Sequence, residues 1–340
     1  MNTEKPDSRT PPKTGNRLLF LLVLGLAVFL ILPQITTLPN SLNVLKSMIP
    51  WLVILGFASQ IASYIGSGYL MQQTLLLTGQ LVSLLKTTLI VLGSTSISMI
   101  AGGTVGGSAA IYHWTRRENG SIESGTLASV LPWIFNNLML ILISIFGLVY
   151  LLFRHDLTNL QLIGFSITLG LMGLVIGLFL FGTQHQDWVA KGVNQVGSWI
   201  AARRKTNFNE AATQGQLARF FAAWTLLLEG KWYRLLIGAA INTGADILTL
   251  FFLFLAAGTH ISPGVLLAGY GLPLLLGKIA FILPGGIGAV EASMAAIYTG
   301  LGIQNGTAVV VILAYRLISF WIPSLLGFPV ASYLERLSQQ

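Results

Sequence analysis

The chain has 340 residues, of which 54% are hydrophobic and only 9% charged, and its mean hydropathy is +0.75. A soluble domain carries about 25% charged residues, so this composition excludes a soluble globular protein and describes an integral membrane protein with little mass outside the bilayer. The formal charge of +8 comes as small groups of Lys and Arg flanking apolar runs, where such residues set topology and meet anionic lipid; no large basic patch is left to bind nucleic acid.

Residues 1–17 are polar and Pro-rich (Pro6, Pro11, Pro12, with Lys5, Arg9, Lys13 and Arg17) and read as a disordered tail. Leu18–Leu32 is an apolar run stopped by Pro33. A basic lead before a short apolar core also describes a signal peptide, but no small-x-small cleavage site follows, so this run reads as an uncleaved first span. Further spans are expected at 48–70, 81–101, 126–153, 160–182, 232–257, 262–282 and 306–331, about eight crossings in all, each near the roughly 20 helical residues that a bilayer core needs. Trp51, Trp133, Trp232, Trp321 and Tyr333 near the span ends fit interfacial belts. The expected fold is all-α and polytopic: one membrane domain, 18–335, with a first half 18–183, a connection 184–231 and a second half 232–335.

The connection 184–231 carries Lys191, Arg203, Arg204, Lys205 and Arg219, and Leu217, Phe220, Phe221, Trp224, Leu227 and Leu228 recur in it at helical spacing. It reads either as a helix lying in the membrane interface or as one packed on the protein's own membrane face. The basic tail and the basic connection both favour the cytoplasmic side, yet an odd number of expected crossings separates them. The orientation therefore stays open at this level.

Two Pro/Gly-broken segments stand out. Ile282-Leu-Pro-Gly-Gly-Ile-Gly-Ala-Val-Glu-Ala-Ser293 places Pro284, Gly285, Gly286, Gly288 and Glu291 between apolar runs. Ala101-Gly-Gly-Thr-Val-Gly-Gly-Ser108, with Gly102, Gly103 and Gly106, holds the corresponding place in the first half, and Gly106 and Gly120 are separated as Gly288 and Gly302 are. Non-helical backbone persists at membrane depth only when buried in protein or lining a hydrated cavity. Interrupted segments at matching positions of two halves point to a transporter binding site. The pattern predicts two re-entrant helical hairpins, about 101–120 and 284–302, facing each other across a central cavity. The competing reading of the first is a surface loop, because Arg116, Arg117, Glu118 and Glu123 make its second half polar.

Four ionisable residues lie inside apolar runs: Asp246, Lys278, Glu291 and Arg316. Each costs about 2.5–3.5 kcal/mol at a span centre on insertion scales, which marks an intramembrane charge as a functional candidate. Their charges cancel, which suggests the pairs Glu291 with Arg316 and Asp246 with Lys278. Asn242 lies one turn before Asp246, Asn136 and Asn137 add polar groups to the fourth span, and Tyr315 adjoins Arg316. On one reading these are interhelical pairs that fix register. On the other, Arg316 and Lys278 receive an anionic group such as a lipid phosphate, which the planar guanidinium fork suits. Glu291 also falls in the first turn of the helix after Gly288, where an acid stabilises the helix dipole.

Other chemistries find no support. Cys is absent, so disulfides and thiolate metal sites are excluded. The four His are scattered without a metal-ligand spacing, and Gly102–Gly107 lacks the GKS/GKT signature of a nucleotide loop. No G-x-S-x-G elbow accompanies a triad order. No cofactor, metal or enzymatic activity is expected.

The run Leu283–Ser293, followed by Gly300-Leu-Gly302 and Ala314-Tyr-Arg-Leu-Ile-Ser-Phe-Trp-Ile-Pro323, resembles the lysylphosphatidylglycerol synthase transmembrane region family, also called the flippase-like or UPF0104 family. In that family a P-G-G-x-G-x-x-E segment precedes a final span with a Y-R motif. The earlier segment with Tyr112, Arg116 and Arg117 is similar to the family's first-half motif, but Ser108 stands where an acid is common. The resemblance implies a multi-pass protein of the cell inner membrane that moves a phospholipid or polyprenyl-linked lipid between leaflets. It implies membrane lipids as partners and Pro284, Gly285, Gly286, Gly288, Glu291, Tyr315 and Arg316 as carried-over positions. Family members that aminoacylate lipids bear a further soluble synthase domain; the chain ends at Gln340, and aminoacyl transfer is not expected of it. An accessory subunit of a cell-envelope glycosyltransferase or lipid-modifying enzyme, and a proton-coupled small-solute transporter, are the competing expectations.

Overall fold

The computed structural model describes residues 46–100, 103–117, 121–154, 184–204, 232–279 and 288–337, with a few isolated positions elsewhere; of the side chains at 276–279 only the backbone is described. The expected spans 18–32 and 160–182 lie outside the described residues, apart from isolated positions in the second, as does most of 205–231. All regular structure described is helical.

Among the described residues four helices are long and apolar enough to cross a bilayer: α1 (Pro50–Leu77), α4 (Ile122–Arg154), α6 (Trp232–Ala256), and a final rod, Asn305–Arg336. That rod comprises α9 (Asn305–Arg316), a π-helical turn over Leu317–Trp321, and α10 (Ile322–Leu337). Pro50 opens α1 at its first turn, where a missing N–H costs nothing.

The runs 81–101 and 262–282 form shorter apolar helices than these four. They give α2 (Leu84–Ile100) and α7 (Pro263–Ile279), each 17 residues and so about 25 Å long. Each is followed, beyond the glycine-rich segment, by a helix that packs back on it. After α2 comes α3 (Thr104–Arg117, 14 residues), and after α7 comes α8 (Ala289–Gly300, 12 residues). The return is antiparallel in both. Gly107 lies against Ser98, and Trp114 lies against Gly93 further along α2. In the second, the Tyr298 ring covers Gly269 and its hydroxyl donates to the Leu266 carbonyl at 3.0 Å. Within the expected hairpins at 101–120 and 284–302 the described part is a single helix, α3 or α8, and it pairs with the preceding helix, α2 or α7, which reads as a span on hydropathy alone. Hydropathy registers how apolar a helix is, not whether its chain reverses.

The two halves now repeat one plan. A long helix, a short helix, a glycine-rich segment, a short returning helix and a helix of 32 apolar-rich residues occur in both. The long helices α1 and α6 are antiparallel, with the Ile49 N–H donating to the Ala256 carbonyl at 3.0 Å and Gly238 packed against Leu70 at the other end. Small residues allow that approach: a Cβ at Gly66 would stand 2.6 Å from the Asn242 nitrogen. The first hairpin packs on α10 and α4, the second on α4 and α9.

The polarity is that of a protein in lipid. Trp51, Ile54, Ile61 and Ile65 form an exposed stripe on α1, and Ile237, Ile241 and Leu248 form another on α6. Buried positions include Gln60, Ser63, Thr249, Glu291 and Arg316. The helix α5 (Gln186–Arg204) lies in the connection and exposes Trp188, Val196 and Trp199, with the Arg203 guanidinium 4.3 Å from the Trp199 ring centre.

Candidate functional site

A cavity of about 250 Å³ lies where the two halves meet. α1 contributes Gln60, Ser63, Tyr64 and Ser67, at the 3–4 residue spacing of one helix face. α6 contributes Asn242 and Asp246, and the final rod contributes Tyr315, Arg316, Ser319 and Phe320. The first arms of both hairpins close the walls, α2 with Val91 and Thr95 and α7 with Leu274.

Arg316 and Glu291 are brought together. Arg316 Nε donates to Glu291 Oε1 at 2.6 Å, and both side chains are under a tenth exposed. The local cause is the glycine at the start of α8. Gly288 has φ of 83°, a left-handed conformation that favours glycine, and its N–H donates to Glu291 Oε2 at 2.7 Å. Glu291 therefore serves as first-turn acid, N-terminal cap and counter-charge together. The Arg316 guanidinium also rests 4.5 Å from the Phe320 ring centre, held there by the π-turn that begins one residue later. Within that turn the Ser319 carbonyl accepts from Tyr64 at 3.3 Å.

Asp246 is satisfied differently. Its Oδ2 accepts hydrogen bonds from Tyr270 and Tyr315, each at 2.7 Å, while Oδ1 has no partner among the described residues. Oε1 of Gln60, which stands beside Asp246 in the cavity wall, has none either. The expected partner of Asp246, Lys278, has its side chain outside the described residues. Asn242, one turn before Asp246, donates to Ser63 Oγ at 2.9 Å and to the Ser63 carbonyl at 3.0 Å, tying α6 to α1.

Of the glycines, Gly103 (φ 66°) sits at the first tip and donates to the Ser98 carbonyl, Gly106 is buried in the first turn of α3, and neither lines the cavity. Gly102, Pro284, Gly285 and Gly286 lie outside the described residues. Asn137 turns back to the Trp133 carbonyl at 2.7 Å, and Asn136 and Asn137 are not in the cavity wall. Sequence reasoning missed Gln60, Ser63, Tyr64 and Tyr270 because it followed formal charge. The readable signal was Gln60, Ser63 and Ser67 on one face of an otherwise apolar run.

The fold and this site define a multi-pass α-helical membrane protein with a polar cavity buried between two repeated halves. Comparison with known proteins identifies the group within that class: the chain belongs to the lysylphosphatidylglycerol synthase transmembrane region family, whose sequence profile matches residues 17–327. It is similar to a UPF0104 membrane protein of Pyrococcus horikoshii, 40% identical over 84 residues, or 25% of each chain. It is also similar to a UPF0104 membrane protein of Methanothermobacter thermautotrophicus, 35% identical over 88 residues, or 26% of each chain. The matched stretches span about a quarter of the length of these relatives. The profile matched is that of the transmembrane region of the synthase.

Proposed function

We propose that this protein moves a phospholipid or polyprenyl-linked lipid between the leaflets of the cytoplasmic membrane. The observation that carries the reading is the cavity itself: a polar chamber containing Arg316, Asp246 and Asn242 inside a bundle whose outer face is apolar, walled by two short hairpins at matching positions of a repeat. That is the arrangement from which transporter sites are built, with the binding residues near mid-membrane at the repeat interface. Gln60 and Ser67 lie ten and seventeen residues into α1, about 15 and 25 Å along its axis, so the chamber is near the middle of the bilayer.

In this mechanism both hairpins are re-entrant, entering the membrane and returning to the face they left. The head group enters the chamber while the hydrocarbon stays outside it. Arg316 receives the phosphate, Glu291 fixes the orientation of the guanidinium, and Asn242 and the α1 hydroxyls replace water around the rest of the head group. Reconstituted protein should move fluorescent head-group-labelled lipids across proteoliposomes, and Asp246→Asn and Arg316→Lys should each lower the rate per folded, inserted molecule at least about tenfold. Wild-type flux in both variants would remove the cavity from the pathway. A stably co-purifying envelope enzyme with no flux would instead assign the accessory role.

The size of the cavity favours one further reading. Ligand pockets commonly enclose about 300–1,000 Å³, and this one is smaller, as a small solute requires. Solute uptake into vesicles of a lipid that does not itself flip would select that reading.

A further inference from the structure

Beside the polar cavity runs an apolar groove of about 470 Å³, walled by Val53, Ile54 and Phe57 of α1, Leu253 of α6, and Leu317 and Ile318 of the π-turn. We propose that this groove seats one hydrocarbon chain of the lipid whose head group occupies the cavity, so that chamber and groove form one head-and-tail site. The inference rests on the lipid-translocating reading above and names how that lipid is held.

Three elements carry both surfaces, and on each the change from apolar to polar takes about one or two turns. On α1 the groove ends at Phe57 and the cavity begins at Gln60. On α6 the groove takes Leu253 and the cavity Asp246, with Thr249 between them bonding its hydroxyl to the Gly56 carbonyl at 3.2 Å. On the final rod the π-turn divides neighbours: Arg316, Ser319 and Phe320 face the cavity, and Leu317 and Ile318 face the groove. Residues three and four apart share a helix face, so Arg316, Ser319 and Phe320 line one side while Leu317 and Ile318 lie on the other.

The length also fits. The groove follows α1 from Pro50 to Phe57, about 10 Å, from the helix start to the depth of the cavity. A lipid with its phosphate at Arg316 has its glyceryl or prenyl end at that depth, and the groove gives the chain an apolar path back to the membrane surface. Ile54 and Leu317 are 66% and 51% exposed, so the groove is open along one side to the bilayer from which such a chain would enter.

The test uses the full chain in nanodiscs containing phosphatidylglycerol or phosphatidylethanolamine with a photoactivatable diazirine on one acyl chain. Cross-links are mapped by peptide mass spectrometry. Labelling of 48–57 and 314–318 should exceed that of the exposed α4 surface around Phe146 and Phe153 several-fold. Asp246→Asn and Arg316→Lys should cut the groove labelling and leave the α4 labelling unchanged. Ile54→Trp, a filling change at an exposed position, should do the same without touching the cavity. Equal labelling of groove and α4, or groove labelling that ignores the cavity variants, overturns the proposal. So does an unlabelled groove, which would mean another segment of the chain, such as 18–32, covers it. Flux without preferential labelling would refute the groove and keep the translocation reading; labelling without flux would do the reverse.

Discussion

Glu291 and Asp246 are carboxylates in the same bundle, and their partners differ in a way that predicts different responses to substitution. Glu291 faces a formal charge at 2.6 Å and a backbone N–H at 2.7 Å. Removing one member of a buried ion pair leaves the other charge unpaired and costs about 3–5 kcal/mol. Glu291→Ala should therefore lower stability by that order in denaturant titrations in detergent. Replacing Glu291 and Arg316 together by residues of similar volume should restore much of the loss. Asp246 is held by two phenol hydroxyls, and a hydrogen bond to a charged group contributes about 1.5–3 kcal/mol. Tyr270→Phe and Tyr315→Phe should each cost about that much, and the double variant less than the sum, because the second loss falls on a carboxylate already free to rearrange. Equal costs for Glu291→Ala and Tyr270→Phe would contradict the contrast. At this scale the ion pair was legible in the sequence, since charges within apolar runs need partners. Gln60 and Tyr270 were not, because an uncharged polar side chain in an apolar helix gives no sign of which neighbour it meets.

Helices here approach through glycines, and the geometry separates those that are needed from those that are not. A Cβ at Gly238 would lie 2.8 Å from the Leu70 Cα, and one at Gly66 would meet the Asn242 backbone. Both contacts are with backbone, which cannot yield without separating α1 from α6 and opening the cavity wall. Gly244, on the lipid-facing side of α6 with Ile241 and Leu248, has nothing within 4 Å of an added Cβ. Gly66→Val and Gly238→Val should destabilise the protein by at least about 1–3 kcal/mol, the usual cost of overpacking, and abolish lipid flux. Gly244→Val should leave both close to wild type, and a matching loss there would show that the α1–α6 contact is not the cause. The element types were readable from apolar runs, and the glycine breaks separate the helices of each pair. Hydropathy does not show the pairing, because a helix of 17 apolar residues is near the lower limit for a span. Only packing, with Trp114 lying back on Gly93 and Tyr298 on Gly269, shows the reversal.

Counting each hairpin as a return rather than a crossing removes the conflict between the basic tail and the basic connection. With the expected spans 18–32 and 160–182 crossing, the tail, the 78–83 and 118–121 turns, the 184–231 connection and the C-terminal end of the final rod all share one face. Contacts within the bundle agree: Ser124 bonds Thr78, Gln80 reaches the Thr115 carbonyl, and Trp114 Nε1 donates to Glu335. On the opposite face the Ile49 N–H meets the Ala256 carbonyl, and Gly264 packs on Tyr150. On that count the 19 Lys and Arg would divide unevenly, with Lys278 and Arg316 in apolar runs, Lys46 and Arg154 on the second face, and the rest expected on the first. By the positive-inside rule that asymmetry predicts a cytoplasmic first face. On the proposed reading the two hairpins would then enter from opposite sides, the inverted arrangement in which one half can rock against the other around a fixed site. The chain has no cysteine, so single substitutions report sidedness without background. Ser83→Cys and Ser121→Cys should react with an impermeant maleimide only in inside-out vesicles, and His260→Cys and Gln304→Cys only in intact spheroplasts. Ser83 and Ser121 reacting on opposite faces would make α2 a true span, and the repeat would lose its inversion.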